Sequence, residues 1–242
     1  MYLRMLAFMS VISALLPIAS ADLIWDNGDP MLYGWINIEK ATADREASGI
    51  TNIVADDFRL DSRAAINQVD FVGAVWKKLS PAVRSVTVTV YARNDRSLPG
   101  DKYASVTMAA DDPRLSIVID DTRTETPEAT RDALFAKFGV GSVKGYLVHV
   151  SMVNTEPLFV LPASERWFVS VSVDIDGAFV WLASGEASSP SDPRFYVYSP
   201  TPEKDKDGHL TGTMKPRWVP NRSGGEKGNF NLSFKLYGEL LP

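Results

Sequence analysis

The chemistry open to this chain rests on oxygen donors. Asp26, Asn27 and Asp29 crowd one turn near the N-terminus, and further carboxylates stand at Asp56 and Glu239. Calcium takes six to eight oxygens from carboxylates and loop carbonyls. One reading is therefore a structural calcium held by Asp26, Asn27 and Asp29, with Asp56 or Glu239 completing the cage where the chain ends meet. The other has Asp26 and Asn27 bonding their own turn backbone while Asp56 accepts from buried amides. No further cofactor is expected. The chain has no cysteine, which removes thiol catalysis and Cys-ligated metals, and its only histidines are His149 and His209. His149 shares a strand face with Leu147 and Ser151, the place of a surface or groove residue, and no partner that would make it a base can be identified.

No recognisable catalytic motif is present: neither a G-x-S-x-G elbow, an H-E-x-x-H pair, a P-loop nor a strand–GxGxxG–helix unit. A glycosidase needs only two carboxylates across a cleft, but no pair stands out, so no catalytic residue is assigned. Glu203 to Leu210 opens like a calcium-binding EF-hand loop, yet Met214 stands where the bidentate Glu belongs. That segment reads as a solvated turn. Six tryptophans are present. Trp76, Trp167 and Trp181 fall in alternating runs and belong to the core or its edge. Trp25, Trp35 and Trp218 lie in or beside loops, where a ring can stack on a sugar or cap the end of a sandwich. Trp35 and Trp218 are the preferred ligand contacts, since alternation buries neither.

The elements that must position these residues are strands. Val54–Leu60 and Ile66–Trp76 both alternate with period two and read as neighbours in one sheet. Asp56 falls on the apolar face of Val54, Phe58 and Leu60, so it is expected to be buried and bonded, and Asp57 to be exposed. Ser85–Arg93 alternates valine with threonine and serine, the signature of an antiparallel strand wet on one side, and Asn94-Asp95 with Leu98-Pro99-Gly100 closes it with turn chemistry. Tyr103–Ala109, Leu115–Asp121, Gly145–Met152, Arg166–Ile175, Ala178–Ala183, Phe195–Tyr198 and Asn229–Gly238 follow. Asp176-Gly177 is a favoured hairpin turn, and Asp207-Gly208 marks a second hairpin tip. One helix of about three turns is expected from Thr126, with Pro127 at its first position and Gly139 and Gly141 ending it. Met31 to Gly49 shows no clean period and reads as loop.

Residues 1–21 have the charge, apolar middle and Ala19-Ser20-Ala21 ending of a cleavable signal peptide. Removing them takes away Arg4 and no acid, so the formal charge of −5 becomes 24 − 30 = −6. The remaining 242 − 21 = 221 residues suffice for one core without disulfides. The expectation is a signal peptide over 1–21 and a single domain over 22–242, secreted or periplasmic. A mildly acidic chain does not suit nucleic acid, and the mature part has no apolar run of spanning length. The fold class is all-β, an antiparallel β-sandwich, jelly-roll-like, with one short inserted helix.

Several segments together resemble a loose group of exported bacterial β-sandwich proteins, jelly-roll-like and mostly of unassigned function. They are the Asp26-Asn27-Gly28 turn, Val54–Leu60, Val69–Gly73, Val90–Asp95 with Leu98-Pro99-Gly100, and Leu232–Gly238. The likeness implies fold and export and carries over no active site. The chain lacks the C-terminal sorting helix and basic tail of many such proteins. The functional expectation is a noncatalytic extracellular module binding a glycan or surface component. The alternatives are a secreted polysaccharide-acting hydrolase or lyase, and a structural protein of the envelope or matrix.

Overall fold

The computed structural model describes residues 21–36, 53–76, 82–124, 145–175, 179–184, 196–204, 206–207, 209–220 and 231–242. The helix expected from Thr126 and almost all of the signal segment lie outside them. Fifteen strands are found among the described residues: β1 (Asp22–Asp26), β2 (Pro30–Ile36), β3 (Ile53–Leu60), β4 (Ala64–Trp76), β5 (Val83–Arg93), β6 (Pro99–Ala109), β7 (Leu115–Thr124), β8 (Gly145–Val153), β9 (Phe159–Leu161), β10 (Ser164–Ile175), β11 (Phe179–Ser184), β12 (Tyr196–Lys204), β13 (Leu210–Pro220), β14 (Asn231–Leu232) and β15 (Phe234–Leu240). Every pairing is antiparallel.

The strands form two sheets. The larger has nine strands around the long β4, which pairs with β15 and β11 on one side and with β9 and β8 on the other. The smaller runs β13-β12-β3-β10-β5-β6. Their facing sides share one core: Val54, Phe58, Val88, Val169 and Val171 of the smaller sheet meet Ile66, Val69, Phe71, Val150, Trp181 and Phe234 of the larger. Phe58 and Phe234 touch edge to face across the gap at 6.2 Å. The arrangement is a sandwich of two sheets, each offering its alternate apolar residues inward.

The expectation that β3 and β4 are sheet neighbours is wrong. They are consecutive in the chain but stand in opposite sheets, and the Asp61-Ser62-Arg63 bend carries the backbone from one to the other. Both have an inward apolar face, so alternation alone fits either arrangement. The same holds for β10 and β11, which lie in the smaller and the larger sheet; the Asp176-Gly177 pair expected to join them as a hairpin lies outside the described residues. Two other turns are where the chemistry puts them. Asn94 closes the β5–β6 hairpin by accepting from the N–H groups of Arg96 and Leu98. The Asp207 turn joins β12 to β13, whose pairing runs from Tyr196 opposite Pro220 to Lys204 opposite Leu210.

β2 overlaps the stretch from Met31 that reads as loop, and β13 falls in the Pro- and Gly-rich stretch around the Asp207-Gly208 hairpin tip. Gly and Pro interrupt their alternation, but the sheet tolerates both where a ladder bond is not required. β13 is an edge strand, and Pro200 and Pro202 of β12 lie beyond Tyr198, where pairing with β3 ends. The chain ends do meet: β1 pairs with β15, Asp22 opposite Gly238 and Asp26 opposite Lys235. The β15–β4 register shifts between Tyr237 and Gly238, and there the backbones crowd. A Cβ added at Gly238 would stand 2.0 Å from the Ala65 carbonyl oxygen, so this position takes glycine alone.

Candidate functional site

The turn after β1 sends its side chains in opposite directions. Gly28 adopts φ 90°, open to glycine, and its N–H donates to Asp26 Oδ1 at 2.8 Å. Asn27 points inward and is fully buried; Asp26 and Asp29 stay on the surface side. Two separate polar groups result.

The inner group is a clamp between the sheets. Asp56 is fully buried on the inward face of β3, as its period-two neighbours require. It accepts from Asn27 Nδ2 at 2.8 Å, from the Asp57 N–H at 2.9 Å and from the Leu232 N–H. Asn27 Nδ2 also donates to the Leu232 carbonyl at 2.9 Å, and the Asn27 N–H donates to the Phe234 carbonyl. Burial pushes the Asp56 carboxyl well above its ordinary value, and the adjacent Asp57 charge pushes the same way; the three donors oppose the rise without cancelling it. Asp56 thus ties the smaller sheet to the N-terminal turn and to β14.

Asp57 is not exposed. It is 1 % exposed on the opposite face of β3, so the expected contrast with Asp56 fails. The outer face of the smaller sheet carries its own cover: Ala55, Tyr91, Phe168 and Tyr196 cluster there, with Leu98 and Trp218 packed against them. Under that cover Arg166 Nε pairs with Asp57 Oδ2 at 2.8 Å, and Arg166 is itself only 17 % exposed. A strand covered on both sides has no wet face, and a carboxylate there needs a cation.

Neither preferred tryptophan is in a loop. Trp35 stands in β2, opposite Trp181 of β11. Trp218 stands in β13, half-buried, its ring edge-on to Tyr91 at 5.3 Å. Trp25 is also in a strand and packs on Phe58 at 6.4 Å.

The five candidate calcium ligands are not brought to one point. Asn27 and Asp56 meet inside. Asp26 and Asp29 meet outside, each 3.3 Å from Lys235 Nζ, so an ammonium stands between them. Glu239 is exposed beside Ala65, four positions along β15 from Lys235, roughly 13 Å at the rise of a strand. Among the described residues no three of His, Asp and Glu are placed to hold a metal ion.

The outer group lines an open groove of ≈ 390 Å³ on the larger sheet. Register builds it. Lys235 of β15 lies opposite Asp70 of β4, Asp70 opposite Ser151 of β8, and Ser151 opposite Ser116 of β7. This row spans roughly 14 Å at ordinary strand spacing. The next row holds Val72, His149 and Val118. Asp70 is fixed: Gln68 Nε2 donates to both its oxygens at 3.0 and 3.1 Å, and the Ser151 hydroxyl donates at 2.6 Å. His149 is exposed on the groove side with Ser151, as its strand face implies. Tyr237 flanks Lys235, and its phenol is pushed up by partial burial and by the Asp70 charge. Burial alone would lower Lys235, but Asp26 and Asp29 outweigh it and hold its ammonium above the ordinary value.

The sequence singled out His149 and Ser151 but not Asp70, Lys235 or Tyr237. Each is a polar residue on an alternating strand, which by itself signals only a wet face. Their convergence exists only in the register of four strands. Set beside known proteins, the chain matches no family model, no curated protein and no solved structure.

Proposed function

We propose that the chain is an exported, noncatalytic binding protein that takes a glycan in the groove on the outer face of its larger sheet. The observation that carries this reading is the prearranged row Lys235–Asp70–Ser151, with Tyr237 and Val118 beside it. Sugars are bound by fixed donors and acceptors that replace water on their hydroxyls and by apolar surface under the ring face. Asp70 supplies held acceptors, Lys235 and His149 supply donors, and Tyr237 and Val118 supply ring and apolar surface. Rigid strands keep these groups in place without a ligand, which lowers the ordering cost of binding.

This reading moves the ligand away from Trp35 and Trp218. Binding is preferred to hydrolysis because the two groove carboxylates are held by neighbours, Asp70 by Gln68 and Ser151 and Asp29 by Lys235, which suits fixed contacts. Export rests on the leader over 1–21, and the jelly-roll-like scaffold on the way consecutive strands such as β3, β4 and β5 alternate between the sheets. The inserted helix from Thr126 stays part of this scaffold reading.

The test is a glycan array followed by calorimetric titration of the hits. Tyr237→Ala and His149→Ala should each weaken binding about tenfold or more, while Trp218→Ala should leave it unchanged. Absence of any binding glycan, or variants in Tyr237 and His149 that bind like the parent, overturns the assignment. N-terminal sequencing of exported material should return Asp22; recovery of Met1 overturns the export reading.

A further inference from the structure

The groove carries an excess of acid on its binding face. Among the described residues, Asp29 and Asp70 line it and Asp26 lies 3.3 Å from the ammonium of Lys235, the one lysine of the lining. That ammonium is already shared between Asp26 and Asp29. On the other side, Lys235 faces Asp70 across the β15–β4 ladder, so one cation is set among three anions. Partial burial works against the Lys235 ammonium, and the Asp26 and Asp29 carboxylates outweigh it. The Tyr237 phenol is pushed up first by burial, with the Asp70 and Asp26 charges adding to the rise and Lys235 opposing it.

Resting on the glycan reading, we infer that the groove selects sugars bearing a free amine, such as glucosamine oligomers, over neutral and acidic ones. The ammonium of such a sugar would pair with Asp70. Gln68 and Ser151 give that carboxylate three hydrogen bonds, two to Oδ1 and one to Oδ2, and a carboxylate that lines a groove can accept about four. Its ring hydroxyls would meet His149 and Ser116, and its apolar ring face Tyr237. A uronate would bring a second carboxylate against Asp70, where like charges repel.

The experiment compares short oligomers of glucosamine, N-acetylglucosamine and galacturonate by calorimetric titration with the whole mature chain. The glucosamine oligomer should bind about tenfold more tightly than its acetylated counterpart, and galacturonate least. The advantage should shrink in Asp70→Asn, and by a smaller factor in Asp29→Asn. Asp29 is 91 % exposed, so its replacement alters the field without disturbing the fold. The advantage should also shrink as salt rises from about 0.05 to about 0.5 M, because the groove is open to screening ions. Equal or tighter binding of the acetylated or acidic oligomer overturns the amine inference and leaves the glycan reading standing. Binding of no oligosaccharide overturns both. An oligolysine peptide that competes for the groove with equal affinity overturns the amine-sugar assignment in favour of a peptide site.

Discussion

Asp56 and Asp70 are carboxylates of similar local chemistry in different places. Each sits on an alternating strand and accepts hydrogen bonds both from its own strand and from elsewhere, Asp56 from Asp57, Asn27 and Leu232 and Asp70 from Gln68 and Ser151. Asp56 is sealed between the sheets: its Oδ2 holds β3 against Asn27 and Leu232, and its Oδ1 accepts from the Asp57 N–H of its own strand. Asp70 is half-buried at an open groove, where Gln68 and Ser151 fix its position. The difference is burial. In a dry site an unmade hydrogen bond is costly and the bonds serve the fold; at a wet site the same bonds preorganise a contact for something else.

The largest effect expected from this contrast is on stability. Asp56→Ala would leave the Leu232 and Asp57 amides without their acceptor and take one of the two acceptors from Asn27 Nδ2, and should cost about 3 kcal/mol in urea melts. Asp70→Ala should cost less than about 1 kcal/mol, because its donors turn to water. Equal losses would break the comparison. Asp57→Ala takes the carboxylate from the Arg166 guanidinium beneath an aromatic cover, leaving it the longer contacts to Ser97 and Tyr196, and should cost about 2 to 3 kcal/mol, far more than a wet strand face would lose. A loss near zero would mean that the outer cluster does not seal this pair. Trp218→Ala removes the ring packed on Tyr91 and should cost about 1 to 2 kcal/mol, without affecting ligand binding on the other sheet.

The smallest effect sharpens the comparison through pH. Asp56 holds its proton more firmly folded than unfolded, since burial raises its folded value above 3.8. The folded chain therefore binds more proton than the unfolded chain between those two values, and stability must fall as pH rises across that window. The contribution is complete below 3.8 and is lost as pH passes the raised folded value. Parent and Asp56→Asn, melted at steps from about pH 4 to about pH 7, should differ in slope, the parent falling relative to the variant. Parallel curves would show that Asp56 stays ionised throughout, its three donors outweighing its burial.

How much was legible beforehand can be followed residue by residue. The inward face of β3 placed Asp56 correctly, because alternation over Val54, Phe58 and Leu60 fixes which side a residue takes. The same alternation misplaced Asp57. It assumes a wet second face, whereas Tyr91, Phe168 and Tyr196 cover it from other strands. Trp35 and Trp218 looked like loop residues because Gly and Pro interrupt β2 and β13, and pairing with neighbouring strands makes strands of them nonetheless.

By itself the sequence determined the strands with clean alternation, the Asn94 and Asp207 turns, the inward carboxylate of Asp56 and the meeting of the chain ends. These follow from local rules: period two sorts side chains between faces, and turn residues set φ where the chain must reverse. Only the tertiary structure decided which sheet each strand joins, that β3 and β4 part company, and that Asp57 lies under cover. It also decided that Asp70, Ser151 and Lys235 stand in one row. Pairing between strands far apart in the chain depends on the fit of whole faces and on register, and a shift of one residue would send the entire row to the other side. The groove is a property of that register, and no single strand carries it.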